Sequence, residues 1–326
     1  MVDLSIVIPC YHSAKTVANT LKSLEIQTDQ NFEIVIVEDG PSDTKNMEQN
    51  IIINANYPNG AVREGRVIHV VEETNEGPSK TRNRGINHSH GKYIMFLDSD
   101  DMLFPNAVQT LRKAMEDDPD VIIGKTLREM PNKSFLCVGH EAVTWLHGRA
   151  YKRDFIENHC IRFPEFIRMS EDLAFNSIAL EYADKVLETD FPIHLQRYTV
   201  GGLSHSEHSA RDQAMTYIKN AIYYTSEVSK EKPFIDMKML PQFIAMSYFY
   251  LDAIPTLFMD EDVFVEVEND FRTLCELIHL EELMRNQKFS KQLNDQLLLA
   301  VRPYPDRPLA PRKGFAERYR DAITPK

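Results

Sequence analysis

Tyr93-Ile-Met-Phe-Leu-Asp98-Ser99-Asp100-Asp101 decides both the fold and the chemistry of this chain. Five hydrophobic residues in a row, without polar alternation, read as a strand covered on both faces, as strands of parallel sheets are. The three carboxylates that follow within four residues repel one another, and a hard divalent cation relieves that repulsion. Mg2+ or Mn2+ accepts one or two carboxylates and completes its shell with water and phosphate oxygens. The segment therefore points to a metal gripping a phosphorylated ligand at a strand end. A solvated acidic turn capping the next helix accounts for the same residues without a ligand.

On the N-terminal side, the apolar runs at residues 4–9, 32–37 and 66–71 predict three more buried strands. Between them, Val17, Leu21 and Leu24 place a helix over residues 13–27, and residues 80–87 form a second. On the C-terminal side, Val108, Leu111 and Met115 mark a helix over 106–115, before a short strand at 121–124. Strands alternating with helices imply a Rossmann-like, mostly parallel sheet flanked by helices. Ligands of such sheets bind outside the carboxyl ends of the strands. The polar clusters at residues 9–12, 38–43 and 98–101 all fall there. From about residue 211 the texture changes to long amphipathic, aromatic-rich stretches at 213–228, 240–257, 263–283 and 289–301, an α-helical C-terminal region. The domains expected are thus 1–210, 211–301 and a Pro-containing tail, 302–326, that cannot continue a helix.

With 326 residues, two domains are expected; 43% hydrophobic and 26% charged residues allow a full core and exclude a disordered chain. The net charge of −12 disfavours nucleic acid as a partner, since duplex binding needs a basic surface. The tail is the exception: seven basic against three acidic side chains give residues 302–326 a net +4. No apolar run approaches the length of a membrane span, and the N-terminus lacks the charged and apolar regions of a signal peptide. Four scattered cysteines without a CxxC suggest buried thiols in a reducing cytoplasm.

Four further constellations surround the acidic run. Glu38-Asp39-Gly40-Pro41-Ser42-Asp43 offers a carboxylate that can accept from a base N–H, or simply a turn. Asn75 to Gly85 runs from a turn into a helix bearing Lys80, Arg82 and Arg84. Cations at a helix start oppose its dipole, so a nearby anion is expected. Ser170-Glu171-Asp172 suits a helix cap or a general base. His194-Leu-Gln-Arg197-Tyr198, followed by Gly201-Gly202 and Ser204-His205-Ser206-Glu207-His208, suggests a mobile loop whose histidines could join a metal or a phosphate. An EF-hand fails, because Leu103 and Gln109 stand where Gly and Glu are required. Neither GxGxxG nor GxxxxGK[ST] occurs. A metal-dependent phosphatase or nucleotidyltransferase on the Asp98/Asp100 cluster is the alternative enzyme, and a non-catalytic binding module the third reading.

In order, SIVIPCYHSAKTVANTLKSLEIQT, FEIVIVEDGPSD, NEGPSKTRNRGINHSHGKYIMFLDSDD, WLHGRAYKRDF and SEDLAFN resemble the family-2 inverting glycosyltransferases of the GT-A fold, of bacterial or phage surface-polymer type. The resemblance covers about residues 1–205. It implies that Pro9 and Tyr11 line a base pocket, that Asp39 accepts from uracil and that Arg82 reaches the base or diphosphate. Asp98 and Asp100 would be the DxD pair holding ribose and Mn2+ or Mg2+, with Asp101 able to replace either. Trp145, His147 and Gly148 would border the sugar and acceptor. Asp172 would be the base, with Glu171 on sugar or acceptor hydroxyls. Arg197, Ser204 and His205 would sit on a loop closing over the diphosphate, His205 as a further metal ligand. Pro41 departs from the usual Asp-Asp-Gly-Ser and alters the turn, while the carboxylate at 39 is kept. The implied partners are a nucleotide-sugar donor, favouring UDP, and a glycan, lipid-linked or polymer acceptor. A cytoplasmic location is expected, with the basic tail reaching an anionic acceptor or the inner face of the membrane. The aromatic C-terminal helices are candidates for a homo-oligomer interface, and stacked core residues explain them equally well.

Overall fold

Leu4–Cys10 forms the central strand, β1, buried at every residue except the half-buried Pro9. β2 (Phe32–Glu38) and β3 (Val67–Val71) continue a parallel ladder on one side of it, and β4 (Tyr93–Phe96) pairs in parallel on the other. β8 (Arg149–Lys152) is antiparallel to both β4 and β6 (Val121–Glu129). β9 (Val186–Gln196) then runs parallel to β6. β5 (Met102–Leu103) and β7 (Phe135–Val138) add antiparallel strands on β9 and β6. The sheet order is β3-β2-β1-β4-β8-β6-β9-β5, with β7 branching from β6. The sheet is mixed, yet β1 to β4, β6 and β9 all point the same way. This computed structural model describes residues 2–40, 45–46, 67–139, 145–199, 209–257 and 261–301. The chain divides into two compact units, Met1–Val200 and Gly201–Lys326.

In the first unit, Leu4, Ile6 and Ile8 present one face of β1 to Val17, Leu21 and Leu24 of α1 (Val17–Glu25), and the same core takes in Val108 and Leu111 of α3 (Ala107–Met115). α2 (Pro78–Asn87) also packs on β1 and β2. Helix cover on the sheet explains why these strands carry no polar alternation. α4 (Arg153–Asn158) and α5 (Asp172–Tyr182) complete the unit. The first four predicted strands and the helices between them appear within a few residues of their expected limits. β5, β7, β8, β9 and α4 were not anticipated, and β6 runs five residues beyond the predicted 124.

One polar knot sits inside this core. Ser5 Oγ donates to Glu33 Oε1 at 2.6 Å and accepts from the Gly91 N–H at 2.8 Å, while the His90 N–H also donates to Glu33. The turn before β4 thereby locks against β1 and β2. A Cβ on residue 91 would lie 2.6 Å from Ser5 N and 2.7 Å from Leu4 C, both backbone atoms that cannot swing aside. Gly91→Ala is expected to destabilise the protein by about 1–3 kcal/mol, the usual cost of forced overpacking. A lowered urea midpoint at unchanged slope would report it; an unaltered midpoint would show that the turn relaxes freely.

The second unit is helical: α6 (Ser209–Val228), α7 (Leu240–Leu257), α8 (Glu261–Leu277), α9 (Leu280–Met284) and α10 (Gln287–Val301). Its core joins Ile218, Ala221 and Tyr224 to Phe243, Ile244, Phe271 and Leu293. Tyr224 stacks on Phe243 with centroids 4.8 Å apart, and Tyr217 lies 5.7 Å from Phe243 and 5.1 Å from Tyr250. These rings of the aromatic-rich stretch serve internal packing. The continuous helix expected over 263–283 is broken because His279 adopts a left-handed conformation (φ 49°). Glycine usually marks such a stop, and none is present. No helix among the described residues is long and apolar enough to cross a membrane. The tail 302–326 lies outside them.

Candidate active site

The shared direction of β1, β2, β4, β6 and β9 brings their carboxyl ends to one edge. β8 runs the other way, so the segment leading into it, with Trp145 and His147, arrives at the same edge. Residues from seven separate stretches lie along it, although few are near one another in sequence.

Asp39 follows β2 and is buried. Its two oxygens accept from the backbone N–H groups of Glu76 (2.7 Å) and Gly77 (2.9 Å). Gly77 holds φ +95°, a conformation that favours glycine, and opens α2. Asp39 therefore clamps the turn that aims α2, and its oxygens keep further lone pairs for a ligand N–H. Tyr11, just past β1, is 53% exposed and meets His12 edge to face.

α2 delivers Arg82 into the interior. Its guanidinium forks between Glu171, through Nη1, and Asp98 Oδ1, through Nη2 at 3.0 Å, and lies 5.6 Å from the Phe163 ring centre. The cation opposing the dipole of its own helix is thus answered by carboxylates from two other elements. Burial pulls the pKa of Arg82 down, but the Glu171 and Asp98 charges outweigh it and raise the pKa above the usual value.

The three carboxylates after β4 occupy three different environments. Asp98 keeps 32% of its side chain exposed. Loss of water pushes its pKa up, but Arg82 foremost, with His147 and His194, holds it below the usual carboxylate range. Asp100 is half-buried and accepts from Thr199 Oγ1 at 2.8 Å. Asp101 is buried: Oδ1 accepts from the Arg197 N–H at 2.9 Å, and Oδ2 faces His194 Nε2 at 3.3 Å and His147 Nδ1 at 3.7 Å. Burial, with Asp98 and Asp100 nearby, raises Asp101 to about 8 despite the opposing pull of His147. The same burial lowers His147 and takes His194 to about 4. Asp101, His147 and His194 form a group of metal-ligand type whose atoms lie within 4.8 Å of one another.

Glu171 holds the N-cap position of α5, without a side-chain capping bond, and Asp172 is its first residue; Ser170 before them takes φ +57° to make the entry. The start of a helix favours a carboxylate. Desolvation and the Glu171 charge outweigh that, and the raised pKa of Asp172 lies at about 7, with Arg82 and a Leu146 backbone hydrogen bond pulling the other way.

Arg82, Asp98 and Glu171 are therefore in direct contact. Asp172 shares their field, and Arg197 joins Asp101 through its backbone. Asp39 lies at the start of α2, and Pro9 and Tyr11 at the end of β1. Ser204, His205 and His208 lie outside the described residues. Sequence reasoning missed the pairing of His147 and His194, whose rings stack 5.0 Å apart, and the contact of Thr199 with Asp100. No local pattern signals either; only the β6/β9 ladder and the reversed β8 bring them together.

The family described as Glycosyl transferase family 2 matches residues 5–169. The uncharacterized glycosyltransferase YibD of Escherichia coli (strain K12) is 27% identical over 246 residues, covering 66% of this chain and 68% of YibD. The uncharacterized glycosyltransferase RC0461 of Rickettsia conorii is 34% identical over 114 residues, 35% of this chain and 17% of that protein, so the chain spans only a small part of it. Among solved structures, S. aureus TarS 1-349 in complex with UDP-GlcNAc is similar at a TM-score of 0.62 and 18% identity, over 93% of this chain and 91% of that one. The mannosyltransferase PcManGT from Pyrobaculum calidifontis, in complex with GDP-Man and Mn2+, follows at 0.53 and 13%, over 92% and 86%. At these identities the likeness is one of fold, a GT-A-type glycosyltransferase fold.

Proposed function

The chain belongs to glycosyl transferase family 2, and from that premise we propose that it transfers a sugar, with inversion, from a UDP-sugar to a hydroxyl of a glycan or surface polymer. The observation that carries this reading is Asp172, a carboxyl whose pKa of about 7 suits proton abstraction near neutral pH. An acceptor hydroxyl is a poor nucleophile; Asp172 takes its proton as the oxygen attacks the anomeric carbon from the side opposite the diphosphate. Glu171 orients sugar or acceptor hydroxyls from its place on Arg82. Pro9, Tyr11 and Asp39 hold the base. Arg82 and Arg197, with Ser204 and His205, offset the charge gathering on the leaving diphosphate.

Asp98 and Asp100 suit a hard divalent ion: both are partly solvent-exposed oxygen donors at the carboxyl edge of the sheet. Mn2+ or Mg2+ held there supplies Lewis-acid stabilisation of the leaving group. UDP is favoured because TarS, of like fold, is known in complex with UDP-GlcNAc. The catalytic part is assigned to residues 1–210, the helical part to 211–301, and the basic tail is given the task of meeting an anionic acceptor or the inner membrane face. Asp100→Ala is expected to weaken Mn2+-dependent UDP binding by about 100-fold, roughly 2.7 kcal/mol, in calorimetric titrations with and without the ion. Unchanged affinity would remove Asp100 from the donor site.

A further inference from the structure

We propose that Asp101, His147 and His194 form a second metal site, built for a zinc-type first-row dication and separate from the Asp98/Asp100 pair assigned to the donor. Three observations carry it. First, Oδ2 of Asp101 stands 3.3 Å from His194 Nε2 and 3.7 Å from His147 Nδ1. A tetrahedral ion with arms of about 2.1 Å places neighbouring ligand atoms roughly 3.4 Å apart, so binding would draw together the three ligand atoms, which lie within 4.8 Å of one another. Second, His194 is fully buried; its Nδ1 has no hydrogen-bond partner among the described residues, and its Nε2 has only the 3.3 Å approach of Asp101 Oδ2, without hydrogen-bond geometry. Its register partner on β6, Thr126, carries a buried Oγ1 in the same condition. Buried polar atoms are seldom left so, and a ligand among them accounts for the imidazole. Third, an outer contact is in place. His147 Nε2 lies 3.2 Å from the Gln196 amide nitrogen, and Gln196 Oε1 is buried without a partner. A half-turn of that amide lets Oε1 accept from Nε2–H while Nδ1 faces the metal, the arrangement that orients metal-bound histidines.

Two imidazoles and one carboxylate select the ion. Neutral ring nitrogens suit Zn2+ and its first-row neighbours, whereas Mg2+ and Ca2+ take oxygen. The ion would join the turn after β4, the segment leading into β8, and β9. Asp100 and Asp98, one and three residues before Asp101, would thereby be positioned from beneath, without the ion touching a donor.

The test needs neither nucleotide nor acceptor. Chelator-stripped full-length protein is titrated with Zn2+ by calorimetry, its melting temperature is followed, and a Co2+-loaded sample is examined for the visible bands of a nitrogen-ligated ion. One Zn2+ per chain, a raised melting temperature and no displacement by excess Mg2+ are expected. His147→Ala, at a residue whose side chain is partly exposed, should weaken Zn2+ by 100-fold or more, since loss of an outer contact alone costs 10–100-fold. Asp100→Asn should leave Zn2+ binding as it is. Absence of binding by the wild-type chain without nucleotide overturns the proposal, as does loss of Zn2+ in Asp100→Asn with retention in His147→Ala. Failure of sugar transfer, by contrast, would leave these readings unmoved.

Discussion

Asp172→Asn is expected to cut turnover by about 10²–10⁴-fold, the range for a positioned general base, while UDP binding stays at the wild-type level. That loss corresponds to about 3–5 kcal/mol of transition-state stabilisation. The wild-type pH profile should carry the signature of the same group. As the proposed base, Asp172 would act only with its proton off, so turnover is expected to rise as pH climbs through about 7 and to level above it. Desolvation first, then the Glu171 charge, places this limb so high for a carboxyl. In Asp172→Asn the residual rate should lose this limb. Substantial turnover by the Asn variant, or a limb left in place, would assign the proton to another residue.

Arg82→Ala should produce the largest loss of stability of any single change at the site, about 3–5 kcal/mol, the cost of leaving buried charges unpaired. The guanidinium links Glu171, whose side chain is only 9% exposed, to Asp98. Removing it leaves Glu171, Asp98 and Asp172 in one field without their common cation. Lysine is a poor substitute: a point charge cannot reproduce the planar fork that meets two carboxylates at once. Because Arg82 lowers the Asp172 pKa, Arg82→Lys should move the acid limb of the rate profile upward even where the protein folds. Urea unfolding reads the first effect and the pH profile the second. An unshifted urea midpoint in Arg82→Ala would mean that the bridge contributes nothing to the fold.

The first four strands were legible in sequence because each is a short, mostly apolar run between turn residues, with Ser5, Glu33 and His69 the polar exceptions inside them. β9 was not: Glu188, Asp190 and Pro192 interrupt its pattern, and it is a strand only because β6 lies beside it. The antiparallel β8 was hidden by its length of four residues. The site divides along the same line. Asp98 to Asp101 and Glu171–Asp172 are local motifs, readable as they stand. What the motif could not tell is that its carboxylates are unequal. Asp101 turns inward to two histidines, while Asp98 is drawn to Arg82 and Asp100 to Thr199. Burial is a property of the assembled sheet, and with it come the opposite pKa shifts of neighbouring aspartates.

The links that close the site join distant parts of the chain: Arg82 and Glu171 are 89 residues apart, Arg197 and Asp101 are 96, and Thr199 and Asp100 are 99. During synthesis, N-terminal segments fold first, and closing long loops waits for the late partner. A nascent chain that stops after β6 owns Asp39, Arg82 and the whole acidic run, yet lacks Asp172, the Glu171 brace and the amide that holds Asp101. It also lacks β8, the strand that stands between β4 and β6 in the sheet, so the carboxyl edge is assembled only once the later strands arrive. On refolding, closure of the Arg82–Glu171 and Arg197–Asp101 links should therefore trail the recovery of helical signal.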